Sequence, residues 1–161
     1  MDESPSKIKK SISDFCLKNE GLLVKQTTDS AGNDCVEWRT SLILEVVAGT
    51  QEKKERSISR QTVPAQFDVS FDENQRVIRV FLQWGKIEPS LFRSAEEEVM
   101  SEMQKDGTVK VRYYDDRQAV EVCALYPFHE FDFSVVYKEI VGHFGLINAI
   151  FFKSANQGEG T

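Results

Sequence analysis

Apolar positions at the start of the chain recur with helical spacing. Ile8, Ile12, Phe15 and Cys16 follow an i, i+4, i+7, i+8 pattern that puts them on one face. Ser4 is placed to cap this helix, and Pro5 suits a first turn where no N–H is needed. Gly21 tolerates the positive φ that stops a helix. The spacing predicts a helix over Pro5–Glu20.

The period then shortens toward two. Leu22–Thr27 reads as a strand, followed by the turn cluster Asp29–Asp34. A longer strand covers Cys35–Val47, and the charged run Gln51–Arg56 reads as a solvated bend. Two further strands are predicted over Ser57–Val63 and Phe67–Phe71. In the second of these Phe67, Val69 and Phe71 alternate with Asp68 and Ser70, as on a half-buried strand. After the turn Asp72–Gln75 the chain returns over Val77–Trp84. Ile78, Val80, Leu82 and Trp84 share one face there, with Val77 and Phe81 on the other, which marks a central strand.

Pro89–Lys105 returns to the helical period, with Phe92, Ala95, Val99 and Met103 on one face. Ser94 with Glu97 has the spacing of a capping box. Asp106-Gly107 stops this helix, and a hairpin runs over Val109–Leu125 around Asp115-Asp116-Arg117, with Pro127 ending its second strand. Asp132 is placed to cap a third helix whose shared face holds Val136, Ile140, Phe144 and Ile147. Gly142 and Gly145 weaken that helix and leave room for close packing, including against another subunit. The polar residues after Phe152 are expected to fray, which leaves one domain over residues 4–152 and a flexible tail over 153–161.

Short turns between neighbouring strands favour antiparallel pairing. The predicted fold class is therefore α+β: an antiparallel sheet with helices packed on one face, in the order helix, strands, helix, hairpin, helix. The chain has 161 residues and a 40% apolar content, enough for one core.

A net charge of −6 argues against nucleic acid as a partner, because a basic footprint normally supplies that affinity. Cys16, Cys35 and Cys123 are too few and too odd for a disulfide framework and fit a reducing, cytoplasmic setting. The N-terminus lacks the basic start and apolar run of a signal peptide. The apolar stretch Phe131–Phe152 is interrupted by Asp132, Lys138, Glu139 and His143, so membrane insertion is not expected.

No phosphate-loop or dinucleotide fingerprint occurs, and no cofactor is expected. His129, Glu130, Asp132 and His143 are the sole histidine-containing cluster, without HExxH or CxxC spacing, so no metal site is assigned. Cys123 and His129 are the nearest thiol–imidazole pair, but a structural cysteine accounts for Cys123 equally simply. Asp115-Asp116 and Glu96-Glu97-Glu98 are explained by turn chemistry and solubility. No catalytic residue is assigned.

The surplus of aromatics near the end is more suggestive. Phe128, Phe131, Phe133, Tyr137, Phe144, Phe151 and Phe152 exceed what one helix face can bury. Contact with the sheet accounts for about half of them, and the remainder are expected to form a docking or self-association face.

The element order (Pro5–Glu20 helix, strands to Trp84, Pro89–Lys105 helix, Val109–Leu125 hairpin, Asp132–Phe152 helix) resembles the type III secretion chaperone-like superfamily, which includes the YbjN-like proteins. The segment Ser41–Val63 is longer than that outline needs. The resemblance implies a dimer whose sheet and helix surfaces hold an extended partner segment, without catalysis. The expected function is thus a non-enzymatic protein-binding module, chaperone-like or regulatory. The alternative is a small-molecule-binding domain or cofactor-free enzyme, with a pocket between sheet and helices lined by Tyr113, Tyr114, Cys123 and His129.

Overall fold

The computed structural model describes residues 5–19, 24–49, 56–105, 107 and 109–159. The expected cap Ser4, the stops Gly21 and Asp106, and the bend at 51–55 lie outside these residues. The elements are α1 (Pro5–Asn19), β1 (Lys25–Thr28), β2 (Asp34–Gly49), β3 (Arg56–Asp72), β4 (Val77–Trp84), α2 (Pro89–Gln104), β5 (Val109–Tyr114), β6 (Ala119–Pro127), a short 3-10 turn (Phe128–Glu130) and α3 (Phe133–Glu159). The strands form one six-stranded sheet in the order β1-β2-β3-β4-β6-β5, and every neighbouring pair is antiparallel. The fold is α+β, with the predicted element order.

Period-2 alternation decides which face of each strand is dry. One cross-sheet row runs Trp38, Phe67, Leu82, Val122, Val111, and all five are buried. The next row on the other face runs Glu37, Asp68, Phe81, Cys123, Lys110 and is half-buried or exposed. The three helices cover the first face. Phe15 of α1 packs edge-on to Phe133 at 5.1 Å, and Phe133 meets Trp38 at 5.7 Å. Phe144 of α3 sits edge-on to Trp84 at 4.9 Å, and Phe92 of α2 stacks on Tyr113 at 4.4 Å.

Local signals act largely as expected. Ile8, Ile12 and Cys16 are buried on α1; Phe92, Ala95, Val99 and Met103 are buried on α2. Asp132 caps α3: its carboxylate accepts from the Ser134 N–H at 3.1 Å, and its carbonyl accepts from the Val136 N–H. The turn before β2 is organised by Asp29, which accepts from the N–H groups of Ala31 and Asn33 and from the Ser70 hydroxyl at 2.6 Å. The Ser70 bond is the main reason that carboxyl is held below its ordinary range.

Three expectations need correction. The two predicted strands Ser57–Val63 and Phe67–Phe71 are one strand, β3, which passes through Pro64. Pro64 sits one residue beyond the last β3–β4 pair, Ala65↔Trp84, so the β4 ladder loses no bond at the proline. Ser94 is no capping box: α2 already starts at Pro89, and the Ser94 hydroxyl donates back to the Leu91 carbonyl. α3 continues to Glu159, and Lys153 is tied to Glu98 of α2 at 3.3 Å. Once a helix exists, each added residue gains a hydrogen bond without a new nucleus.

The third correction concerns Gly142 and Gly145. A Cβ added at either would meet nothing within 4 Å, so neither makes a close contact in this chain. Alanine at both positions is therefore expected to raise stability by about 0.5–1 kcal/mol each, through helix propensity alone. Thermal and urea unfolding check this; a loss of stability at either site would show that the glycine is required by packing.

Candidate functional site: a notch at the end of β4

β2 and β3 pair over their whole length, but β4 covers only Ala65–Asp72 of β3. Nine register pairs, from Ser41↔Pro64 to Gly49↔Arg56, run on as a two-stranded ribbon. Among the described residues no strand pairs with the β4-side edge of β3 over residues 56–64.

β4 stops there because its chain turns away after Trp84. Lys86 takes a positive φ of 68°, the Ile87 N–H donates to the Gln118 carbonyl, and the Tyr113 hydroxyl donates to the Ile87 carbonyl. These contacts pull the Gly85–Glu88 link toward the β5–β6 turn and lead it into α2. Where β4 would have continued, a gap remains beside β3.

The gap opens on both sides of the sheet. On the helical side lies a cavity of about 350 Å³ walled by Leu44, Val63, Leu91, Phe151 and Phe152, with Asn148 and Lys86 among its few polar groups. On the other side lies a shallower depression of about 300 Å³, whose charged groups are Arg39 and Arg117 and whose neutral polar groups include Gln66 and Gln83. Pro64, Trp84 and Gly85 belong to both.

Two polar details matter. Trp84 is 2% exposed, and its indole N–H is buried without a hydrogen-bond partner. Leaving such a donor unmet is costly, about 1–3 kcal/mol, and that cost falls when an acceptor arrives. Buried Asn148 donates its amide to the Phe144 carbonyl one turn back at 2.8 Å, which fixes its side chain against α3. Among the described residues three cations line the two mouths and no carboxylate does, in a chain of net charge −6. Arg117 lies over the Tyr114 ring at 4.2 Å, which holds its guanidinium at the rim.

The residues proposed from the sequence fall elsewhere for the most part. Phe128, Phe131, Phe133, Phe144 and Phe151 are buried in the core. The rings of Phe128, Phe131, Phe133 and Phe144 pack between sheet and helices. Tyr137 and Phe152 are half-buried, and Phe151 and Phe152 wall the cavity. Tyr113 and Tyr114 face opposite sides of the sheet, Tyr113 stacked on Phe92 and Tyr114 bonded to Glu121. Cys123 is on the open face, whereas His129 borders a depression with Ile8 and Ser11 of α1. Tyr113, Tyr114, Cys123 and His129 do not line one pocket. Burial pushes the Cys123 thiol upward, away from the reactive thiolate.

Comparison with protein-family models, curated proteins and solved structures finds no match to this chain.

Among the described residues no group of three His, Cys, Asp or Glu side chains converges as a metal site would require. His129 meets the exposed Glu130 at 3.5 Å, and Asp132 is occupied as the cap of α3. Phe133–Ala155 is long and apolar enough to cross a membrane by length and composition. In this fold its stripe of Val136, Ile140, Phe144 and Ile147 lies buried against the sheet.

Arg39, Pro64 and Trp84 gave little signal in sequence. The single legible hint was the surplus length of Ser41–Val63, which becomes the ribbon.

Proposed function

We propose that this chain is a non-enzymatic protein-binding module, chaperone-like or regulatory, that takes up an extended partner segment as an added strand on the edge of β3 left unpaired among the described residues. One observation carries the reading: the nine-pair ribbon runs past the end of β4 beside an unfilled gap. An open strand edge presents alternating N–H and C=O groups that another extended chain satisfies. The resemblance to the type III secretion chaperone-like superfamily supports the same reading, as do the reduced cysteines for a cytoplasmic setting.

The test is direct. A displayed library of random peptides is panned against the full chain, and hydrogen exchange is followed with an enriched peptide bound. Edge-facing amides within residues 56–63 are expected to slow by about tenfold or more. No enrichment, or protection confined to other segments, would overturn the proposal. Light scattering over a concentration series adds one arm: a homodimer that protects the same amides would identify a second copy as the occupant. A small-molecule reading rests on the half-open cavity and the unmet Trp84 donor, and the further experiment below separates it.

A further inference from the structure

The two depressions on either side of the notch differ in chemistry, and this difference specifies the segment. The inference rests on strand addition at β3. Successive side chains of a strand point to opposite faces of a sheet. A chain laid beside β3 in line with β4 therefore directs one residue into the cavity on the helical side and its neighbour into the depression on the open side. The first environment is apolar: Leu44, Val63, Leu91 and Phe151. The second carries the guanidinium groups of Arg39 and Arg117, and neither makes an ion pair among the described residues.

We infer that the partner segment carries a large apolar residue followed or preceded immediately by Asp or Glu. The apolar side chain fills the cavity over Phe151. The carboxylate reaches Arg39 and Arg117, with Lys86 at the other mouth adding to the positive field. A small anionic amphiphile could satisfy one mouth, but a single compact molecule does not fill two depressions on opposite sides of a sheet. An extended chain does so by its ordinary alternation.

The test uses three acetylated nine-residue peptides of β-branched background, with a central Leu-Glu, Leu-Lys or Ser-Glu pair. Binding to the full chain is read by fluorescence anisotropy. The Leu-Glu peptide is expected to bind about tenfold or more tightly than either other peptide. In the R39E/R117E variant the preference between Leu-Glu and Leu-Lys is expected to reverse. Both arginines are exposed, so the variant's fold is checked simply by circular dichroism.

Equal binding of the Glu and Lys peptides, or a preference unmoved by R39E/R117E, would overturn this inference and leave strand addition standing. Failure of all three, together with unprotected edge-facing amides within residues 56–63 in the panning experiment, would remove strand addition itself. Sodium decanoate below its micellar concentration is the remaining arm. If it binds and perturbs tryptophan emission while no peptide binds, the cavity is a small-molecule site and the inference is wrong.

Discussion

Replacing Phe144 by alanine is expected to destabilise the protein by about 4 kcal/mol, within the usual range of about 3–5 kcal/mol for a buried phenylalanine. Phe144 is 1% exposed and stands edge-on to Trp84 with ring centroids 4.9 Å apart. Truncation loses the transfer free energy of the ring and leaves a hole between α3 and β4. It also loosens Trp84, which lies at the floor of the notch. A domain of this kind commonly has about 5–15 kcal/mol in total, so the variant would be marginal. Urea unfolding monitored by circular dichroism measures the effect. Leu146→Ala, at a side chain 53% exposed on the same helix, is the control and is expected to shift stability by under about 0.5 kcal/mol. A loss below about 1 kcal/mol at Phe144 would mean that its ring is not committed to the core, and the docking-face expectation for the late aromatics would return.

The second large effect lies on the open face of the sheet. Asp68 is half-buried there, opposite Glu37 on β2 and Phe81 on β4. Burial is the main cause that pushes its carboxyl up to about 6; Glu37 and Glu121 add repulsion, while the Gln66 amide favours the charged form. In the unfolded chain the same group titrates near 3.8. Above pH 6 the carboxylate is charged in both states, and the folded state bears the full penalty. As pH falls from about 7 toward 4 the folded state takes up a proton before the unfolded one does, so stability rises. The rise is expected to be about 1–3 kcal/mol, allowing for residual exposure.

Groups shifted the other way act in a lower window. Asp29 is held down by Ser70, Asp72 by the Gln75 N–H and then Arg79, and Asp132 by Ser134. Their contribution is present above the ordinary carboxylate range and is lost as pH falls through their lowered values. A stability maximum on the acid side of neutrality follows. Asp68→Asn is expected to stabilise the protein at pH 8 by a similar 1–3 kcal/mol and to flatten the slope between pH 4 and 7. Urea unfolding across that range checks both. An unchanged slope in the variant would show that Asp68 is not the group responsible.

Most elements were legible because their signals are local. The β4 strand Val77–Trp84 and the buried face of α2 follow from period alone, and Asp132 followed from capping chemistry. Pro64 misled in a definable way. A proline within an apolar run argues for a break, but its cost disappears where the neighbouring ladder has already ended. For the late aromatics the sequence left open which rings the sheet and the helices would bury. In the fold Phe15, Trp38, Phe67 and Phe92 also pack against them, so more rings are buried than one stripe could hold.

The sequence by itself determined which segments are helix or strand, which side of each is apolar, and that neighbouring strands turn back antiparallel, since these depend on residues a few positions apart. The tertiary structure alone decided that β6 lies between β4 and β5, that β2 and β3 outrun their neighbours, and that Arg39, Pro64, Trp84 and Arg117 meet at one gap. Those outcomes depend on which strand edges remain to be paired once the helices have covered the apolar face, and no local pattern along the chain encodes that remainder.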